Sequence, residues 1–252
     1  MWTERQAIEL FHLIFVAHLG RRVDKALFAI KGGCNLRFYC RSIRYSEDID
    51  FDIRTMAPAT LAGNVDTILA SLAFAKELRV KQIEVEHITK AKQTDTTQRW
   101  KLAIRIAQGS AVPTKIEFSR RSGLDDDHLL EPVDAELVRN YELYPVLAQH
   151  YSREAAFRQK IGALSLRASP QARDIFDLKL LLDGGAGKVR LPAAIAGEIP
   201  RAVENAMTIG FDAFSGQVLA FLAADYQEYY RSRRVWEDLQ NEVIEALEER
   251  QP

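Results

Sequence analysis

Two short stretches carry residue types suited to work on phosphates. Lys31-Gly32-Gly33 lies between an apolar run, Ala26 to Ile30, and the helix-like Asn35-Leu-Arg-Phe-Tyr. A glycine pair there lets backbone N–H groups approach phosphate oxygens at a helix N-terminus, where the dipole also favours an anion. Downstream, Asp48, Asp50 and Asp52 alternate with Ile49, Phe51 and Ile53. Strand side chains repeat every two residues, so Asp48 and Asp50 share a face and can bind the same Mg²⁺ (or Mn²⁺) ions. Glu117, between Ile116 and Phe118 on a later alternating stretch, is a third candidate metal ligand, with an ion pair to Lys115 or Arg105 as its competing role. Three carboxylates suit a pair of metals roughly 4 Å apart, one activating a hydroxyl and one gripping the β- and γ-phosphates of an NTP. A solvated acidic strand edge is the plainer reading of the aspartates, but acids crowded on one face repel, which argues for a cation. An EF-hand is excluded, because Ile53 stands where its loop needs Gly and Ala59 where it needs Glu.

The elements that must position these residues are readable from periodicity. Thr3 can cap a helix with Ile8, Phe11, Phe15 and Leu19 on its apolar side, ending at Gly20. A strand over 26–30, the glycine turn, a helix from Asn35 and the acidic strand follow. Residues 58 to 78 read as one crossover helix with Leu61, Val65, Ile68, Leu69 and Leu72 buried. Stretches 83–88, 100–106 and 114–118 alternate as strands, and the sheet is expected to end there. Beyond Gly123-Leu-Asp-Asp-Asp127 the pattern turns helical, after one extended stretch around Tyr144-Pro-Val-Leu. Ser152 is an N-cap, a second helix begins near Pro170, and two amphipathic helices fill 215–249. The expected fold is α+β: an N-terminal lobe over residues 1–122 with a mixed sheet and flanking helices, and a helical lobe over 123–252 completing an active-site cleft.

The chain has 252 residues, 47% hydrophobic and 27% charged, which suits a globular protein and excludes disorder and coiled coil. The apolar run from Ala7 to Leu19 is interrupted by Glu9, His12 and His18 and is too short for a membrane span, and the N-terminus has no signal-peptide pattern. A cytoplasmic location without membrane contact is expected. Cys34 and Cys40 have no metal-ligand spacing and read as reduced packing residues. Net charge is −1 overall, yet residues 1–120 carry 19 basic and 13 acidic side chains, a modest attraction for a polyanion.

Four separated blocks resemble the AbiEii/AbiGii nucleotidyltransferase toxins of the polymerase-beta-like nucleotidyltransferase superfamily. They are Lys31-Gly32-Gly33 with Leu36-Arg37; Ser46-Glu-Asp48-Ile-Asp50-Phe; Arg153-Glu-Ala-Ala-Phe-Arg-Gln-Lys160-Ile-Gly-Ala-Leu; and Ala172-Arg173-Asp174-Ile-Phe-Asp177-Leu. They occur in the family's order over about residues 25 to 180. The resemblance implies metal-dependent transfer of a nucleotide from an NTP, in relatives to the 3′ end of tRNA, restrained by an antitoxin. It implies that Lys31, Gly32, Gly33, Arg37, Ser46 and Lys160 serve the nucleotide, that Asp48 and Asp50 bind metal, and that Asp174 completes the last motif. The Thr or Ser that usually follows the glycine pair is Cys34 here, which removes one hydroxyl from the expected triphosphate contacts.

Other motifs are weaker. Arg153, Arg158, Lys160, Arg167 and Arg173 would face the leaving phosphates, while Asp177 reads as an ion-pair partner of Arg173 or Arg167. Gly184-Gly-Ala-Gly-Lys188 is not a Walker A loop, since Leu182 and Val189 occupy its required Gly and Ser/Thr positions; it reads as a helix-ending loop. Arg231-Ser-Arg-Arg234 beside Tyr229, Tyr230 and Trp236 has RNA-binding character but reads better as a solvated helix face over buried aromatics. The leading expectation is an Mg²⁺-dependent nucleotidyltransferase toxin acting on tRNA. Its alternatives are a non-catalytic NTP-binding regulatory module and a transferase acting on a small-molecule or protein hydroxyl.

Overall fold

Helix α1 (Glu4–Arg22) opens the chain with a capping box: the Thr3 side chain accepts from the Gln6 amide, and the Gln6 side chain accepts from the Thr3 amide. It runs two residues past Gly20, because Arg21 and Arg22 continue the helix to a cap at Val23. Its flanks are buried almost all round, and Phe11 and Phe15 pack with Phe51 and Phe74. Each large apolar side chain so buried contributes roughly 1.5–3 kcal/mol, so α1 is the spine of the first core.

The computed structural model describes residues 2 to 107, 109 to 120 and 127 to 250. The chain divides into two units, Met1–Tyr39 with Tyr45–Tyr151, and Cys40–Arg44 with Ser152–Pro252. The boundary expected at 122/123 falls outside the described residues, and the first unit continues to Tyr151 because two further strands join its sheet.

That sheet has seven strands among the described residues: β1 (Phe28–Lys31), β2 (Asp48–Ile53), β3 (Ile83–Gln93), β4 (Thr97–Ile106), β5 (Ala111–Ser119), β6 (His128–Pro132) and β7 (Leu147–Tyr151). Their order is β3-β4-β5-β2-β1-β7-β6. The sheet is mixed: β2 is antiparallel to β1 and parallel to β5, while β7 is parallel to β1. Alternation divides its two faces. Ile49, Phe51, Trp100, Leu102, Ile116 and Phe118 are buried on one side, and Asp48, Asp50, Arg99, Lys101, Lys115 and Glu117 occupy the other. Helix α2 (Gly32–Tyr39) follows β1, and α5 (Ala135–Asn140) connects β6 to β7. The crossover expected as one helix is two, α3 (Pro58–Leu69) and α4 (Leu72–Val80), because Ser71 accepts from the Phe74 amide and caps a new helix.

The second unit is helical: α6 (Arg153–Leu166), α7 (Ala172–Asp183), α8 (Ala193–Ala196), α9 (Ile199–Met207), α10 (Phe211–Gln217), α11 (Ala224–Tyr230) and α12 (Arg233–Glu248). Ser152 caps α6 as expected. Phe157, Ile161, Leu164, Ile175, Leu178, Phe214, Trp236 and Val243 build its core. The glycine loop ends α7, with Gly185 at φ +87°. Trp236 is buried against Phe214, whereas Tyr229, Arg231 and Arg234 are exposed. No helix among the described residues is long and apolar enough to cross a membrane. Both cysteines are buried and free.

Candidate active site

The glycine turn and the acidic strand meet in the first unit. Gly32 opens α2 at φ +66°, a left-handed conformation that L side chains rarely adopt, and a Cβ there would stand 3.5 Å from Asp50 Oδ2. The positive φ, rather than a shortage of space beside the carboxylate, is what calls for glycine here. Lys31 lies opposite Asp50 in the β1–β2 register, and Asp50 lies opposite Glu117 in the β2–β5 register. Directly paired residues project to the same face, so Glu117 shares a face with Asp50, and with Asp48 as the period of two led us to expect for the aspartates.

A residue the sequence reading did not place in the site stands at their centre. Lys115 Nζ is 3.2 Å from Asp48 Oδ2, 3.6 Å from Glu117 Oε2 and 3.8 Å from Asp50 Oδ1. Arg99 Nε donates to Glu117 Oε2 at 2.6 Å, so the cation that competes for Glu117 alongside Lys115 is Arg99, while Arg105 pairs with Glu86. Burial pushes the Asp50 carboxyl above its ordinary range; Lys115 pulls it back, and Glu117 and Asp48 push it further up. At Glu117 burial is outweighed by the Arg99 hydrogen bond and the Lys115 charge, which hold it below that range. Burial likewise loses at Lys115, whose ammonium is raised by Asp50, Asp48 and Glu117.

Among the described residues no group of three or more His, Cys, Asp or Glu side chains is arranged to hold a metal ion as it stands. The donor set nonetheless fits a divalent cation in kind. Three hard carboxylates from two neighbouring strands surround the Lys115 ammonium, and Glu117 is also bonded to Arg99.

A buried network fixes the start of β2. Ser46 Oγ donates to the Asp48 carbonyl at 2.9 Å, Cys34 Sγ donates to the same carbonyl at 3.3 Å, and Thr114 Oγ1 donates to the Glu47 carbonyl at 2.6 Å. Thr114 in turn accepts from His12 Nε2 at 2.9 Å, an assignment that leaves His12 Nδ1 as an acceptor 3.6 Å from Cys34 Sγ. Burial pushes the His12 imidazole down to about 3, so it is neutral. Cys34, the departure from the family pattern, faces this core, and its thiol helps hold Asp48 in place.

The remaining nucleotide candidates are engaged with protein. Lys31 Nζ lies 2.5 Å from Asp52 Oδ1, and Asp52 also accepts from Tyr151 Oη at 2.7 Å. Arg37 Nε donates to the buried Glu9 at 2.5 Å and stacks over Tyr45. In the second unit, Lys160 Nζ lies 2.9 Å from Asp174 Oδ1 and 2.6 Å from Asp177 Oδ2. Asp177 takes its other cation from Arg44, at 2.9 Å, rather than from Arg173 or Arg167; Arg167 pairs with Asp174 at 3.0 Å. Both aspartates are fully buried. At Asp177 burial is outweighed by Arg44 and Lys160, which hold its carboxyl below the ordinary range, and Lys160 is held above its own. Of the other basic residues expected at the phosphates, Arg153 donates to the Gly184 carbonyl and Arg158 is buried.

Residues 14–248 match the family described as Nucleotidyl transferase AbiEii toxin, Type IV TA system. Among curated proteins none matches the chain. The fold is similar to that of JHP933 from Helicobacter pylori, at 17% identity and TM-score 0.59, over 99% of this chain and 96% of that one. It is also similar to MenT4, a nucleotidyltransferase toxin from Mycobacterium tuberculosis, at 15% identity and TM-score 0.58, over 98% of this chain and 94% of that one.

Proposed function

The chain belongs to the AbiEii family of nucleotidyltransferase toxins of type IV toxin–antitoxin systems, and from that premise we propose that it is a Mg²⁺-dependent enzyme that moves an NMP from an NTP to the 3′ end of tRNA. Family membership makes NTP the substrate and an antitoxin the partner; the metal, the tRNA acceptor and a cytoplasmic site of action are our reading. The observation that carries it is the convergence of Asp48, Asp50 and Glu117 on one ammonium beside the Gly32 turn.

In this reading the N–H groups at Gly32 and Gly33 receive the triphosphate, with Lys31 at the same edge of the turn. Ser46 acts by holding the Asp48 carbonyl, and Arg37 by anchoring α2 to Glu9 on α1. Mg²⁺, or Mn²⁺, held by Asp48, Asp50 and Glu117 would neutralise phosphate charge and acidify the attacking hydroxyl. Lys115 competes for the same oxygens. The acceptor hydroxyl oxygen bonds to the α-phosphorus, the bond from that phosphorus to the α–β bridging oxygen breaks, and pyrophosphate leaves with the electron pair. The hydroxyl proton passes to the carboxylate cluster, where we assign the base to Asp50, whose carboxyl burial raises above its ordinary range. Lys160 and Asp174 hold the family's last two motifs together through their ion pair.

The acceptor is tested with α-labelled NTP, Mg²⁺ and three acceptors: intact tRNA, tRNA whose 3′ diol has been oxidised with periodate, and total cell protein. Label on intact tRNA alone is expected. Equal labelling of oxidised tRNA would remove the 3′ end as the acceptor, and label on protein would favour a side-chain hydroxyl.

A further inference from the structure

We propose that the open face of β5, β4 and β3 is the track along which the acceptor RNA strand lies on its way to Asp48, Asp50 and Glu117. This rests on the reading above that the acceptor is RNA. The strand register assembles two rows of side chains on that face. One runs Lys31, Asp50, Glu117, Arg99, Lys92 across β1, β2, β5, β4 and β3; the other runs Asp48, Lys115, Lys101, Thr89 across β2, β5, β4 and β3. Beyond their carboxylates, both rows become basic or neutral toward the β3 edge.

Lys92, Lys101 and Thr89 are exposed, and the Thr94–Thr97 turn beyond them is polar. The opposite face of the same strands is closed, with Gln98, Trp100, Leu102 and Ile104 buried. Lys90 points to that closed side, where it pairs with Asp66 of α3, so it is not part of the track. The row beyond Lys101 is neutralised, since Glu86 is bonded to Arg105, and this limits the basic strip to the two rows that lead to the acids. Adjacent strands lie roughly 5 Å apart, so Lys101 and Lys92 stand about one and two strand spacings out from β5, within reach of successive phosphates of a strand whose end is at Glu117.

The chemistry fits a phosphodiester backbone. Lysines on a polar sheet surface neutralise phosphates without reading bases, which suits an enzyme that must admit a common RNA end. The two rows offer no apolar cluster of the kind a protein interface buries at its centre.

The test compares the full-length protein with a Lys92→Gln/Lys101→Gln variant, using labelled tRNA titrated between 50 and 200 mM salt, together with KM for tRNA and for NTP. Each lost single-strand phosphate contact lowers the slope of log affinity against log salt by about 0.7, so the variant should lose about 1.4. Its KM for tRNA should rise several-fold while KM for NTP and the melting temperature stay unchanged, and Lys92→Arg/Lys101→Arg should restore the slope. If the double variant melts early, Lys92→Gln alone is read in the same way with half the slope change. A wild-type slope and KM in the Gln variant would overturn the track while leaving RNA as acceptor. Wild-type protein that neither binds nor labels tRNA would overturn the acceptor reading and the track with it. Loss of antitoxin binding in the variant, with RNA binding intact, would reassign the face to the protein partner and overturn the proposal.

Discussion

Asp50 illustrates what the site costs the fold at the scale of one residue. Burial holds its folded-state pKa above the ordinary value, so folding shifts Asp50 toward the protonated form relative to the unfolded chain. As pH rises through that window the unfolded chain releases its proton first, and stability is lost and stays lost at neutral pH. Asp50→Asn should therefore melt higher than wild type at pH 7, with the difference shrinking below about pH 3.9, while nucleotide transfer disappears; a lower melting temperature at pH 7 would contradict the assignment. His12 has the opposite sign. Its folded-state pKa is pushed down to about 3, so its contribution is full above the ordinary value of 6.5 and is lost as pH falls toward 3. The unfolded chain binds one more proton there, worth about 1.4 kcal/mol per pH unit. Urea midpoints at pH 7 and pH 5 should differ less in His12→Gln than in wild type, and equal differences would refute it. The shared face of Asp48 and Asp50 was legible from period-two alternation, because a strand projects alternate residues to one face, whereas the place of Glu117 opposite Asp50 depends on the β2–β5 pairing. The central place of Lys115 was not legible either, because it depends on which strands are neighbours, and in sequence Lys115 appears only as one possible partner of Glu117.

At the scale of elements, the cluster of Arg44, Lys160, Arg167, Asp174 and Asp177 ties α6 and α7 to the segment Cys40–Arg44. Removing one member of a buried charge network leaves its partners uncompensated and costs roughly 3–5 kcal/mol. Lys160→Met should lower unfolding stability by about that amount in urea, and a change under about 1 kcal/mol would show that the network does not hold the helices. The pairing of Asp177 with Arg44 spans 133 residues, a separation that local spacing cannot reveal. Elements with long, regular periods were readable: α1, β2, β4, β5, α6 and α7 lie where apolar spacing puts them. The break between α3 and α4 rests on one capping serine inside a continuous apolar pattern. Strands β6 and β7 are short, and β7 is held by a parallel pairing to β1, so the sheet continued past the last obvious alternation. Helix α9 did leave a signal, with Pro200 in its first turn and Ile199, Val203 and Ala206 buried at helical spacing, but the glycine- and proline-rich run before it hid the start.

At the scale of the whole molecule, charge is unevenly distributed: the first 120 residues are net basic although the chain is nearly neutral. The two rows on the open sheet face, with five basic and three acidic side chains, carry part of that excess. The family's motifs are distributed over both units, the glycine turn and aspartates in one and Lys160 with Asp174 in the other. The most direct measurement uses wild type and Asp48→Ala/Asp50→Ala in parallel, each with tRNA, Mg²⁺ and NTP labelled at either the α- or the γ-phosphate. The expected result is α-label on tRNA with wild type only, abolished by EDTA, and γ-label recovered as pyrophosphate. Undiminished α-labelling by the double variant, or γ-label appearing on tRNA, would contradict a carboxylate-centred nucleotidyl transfer at this site.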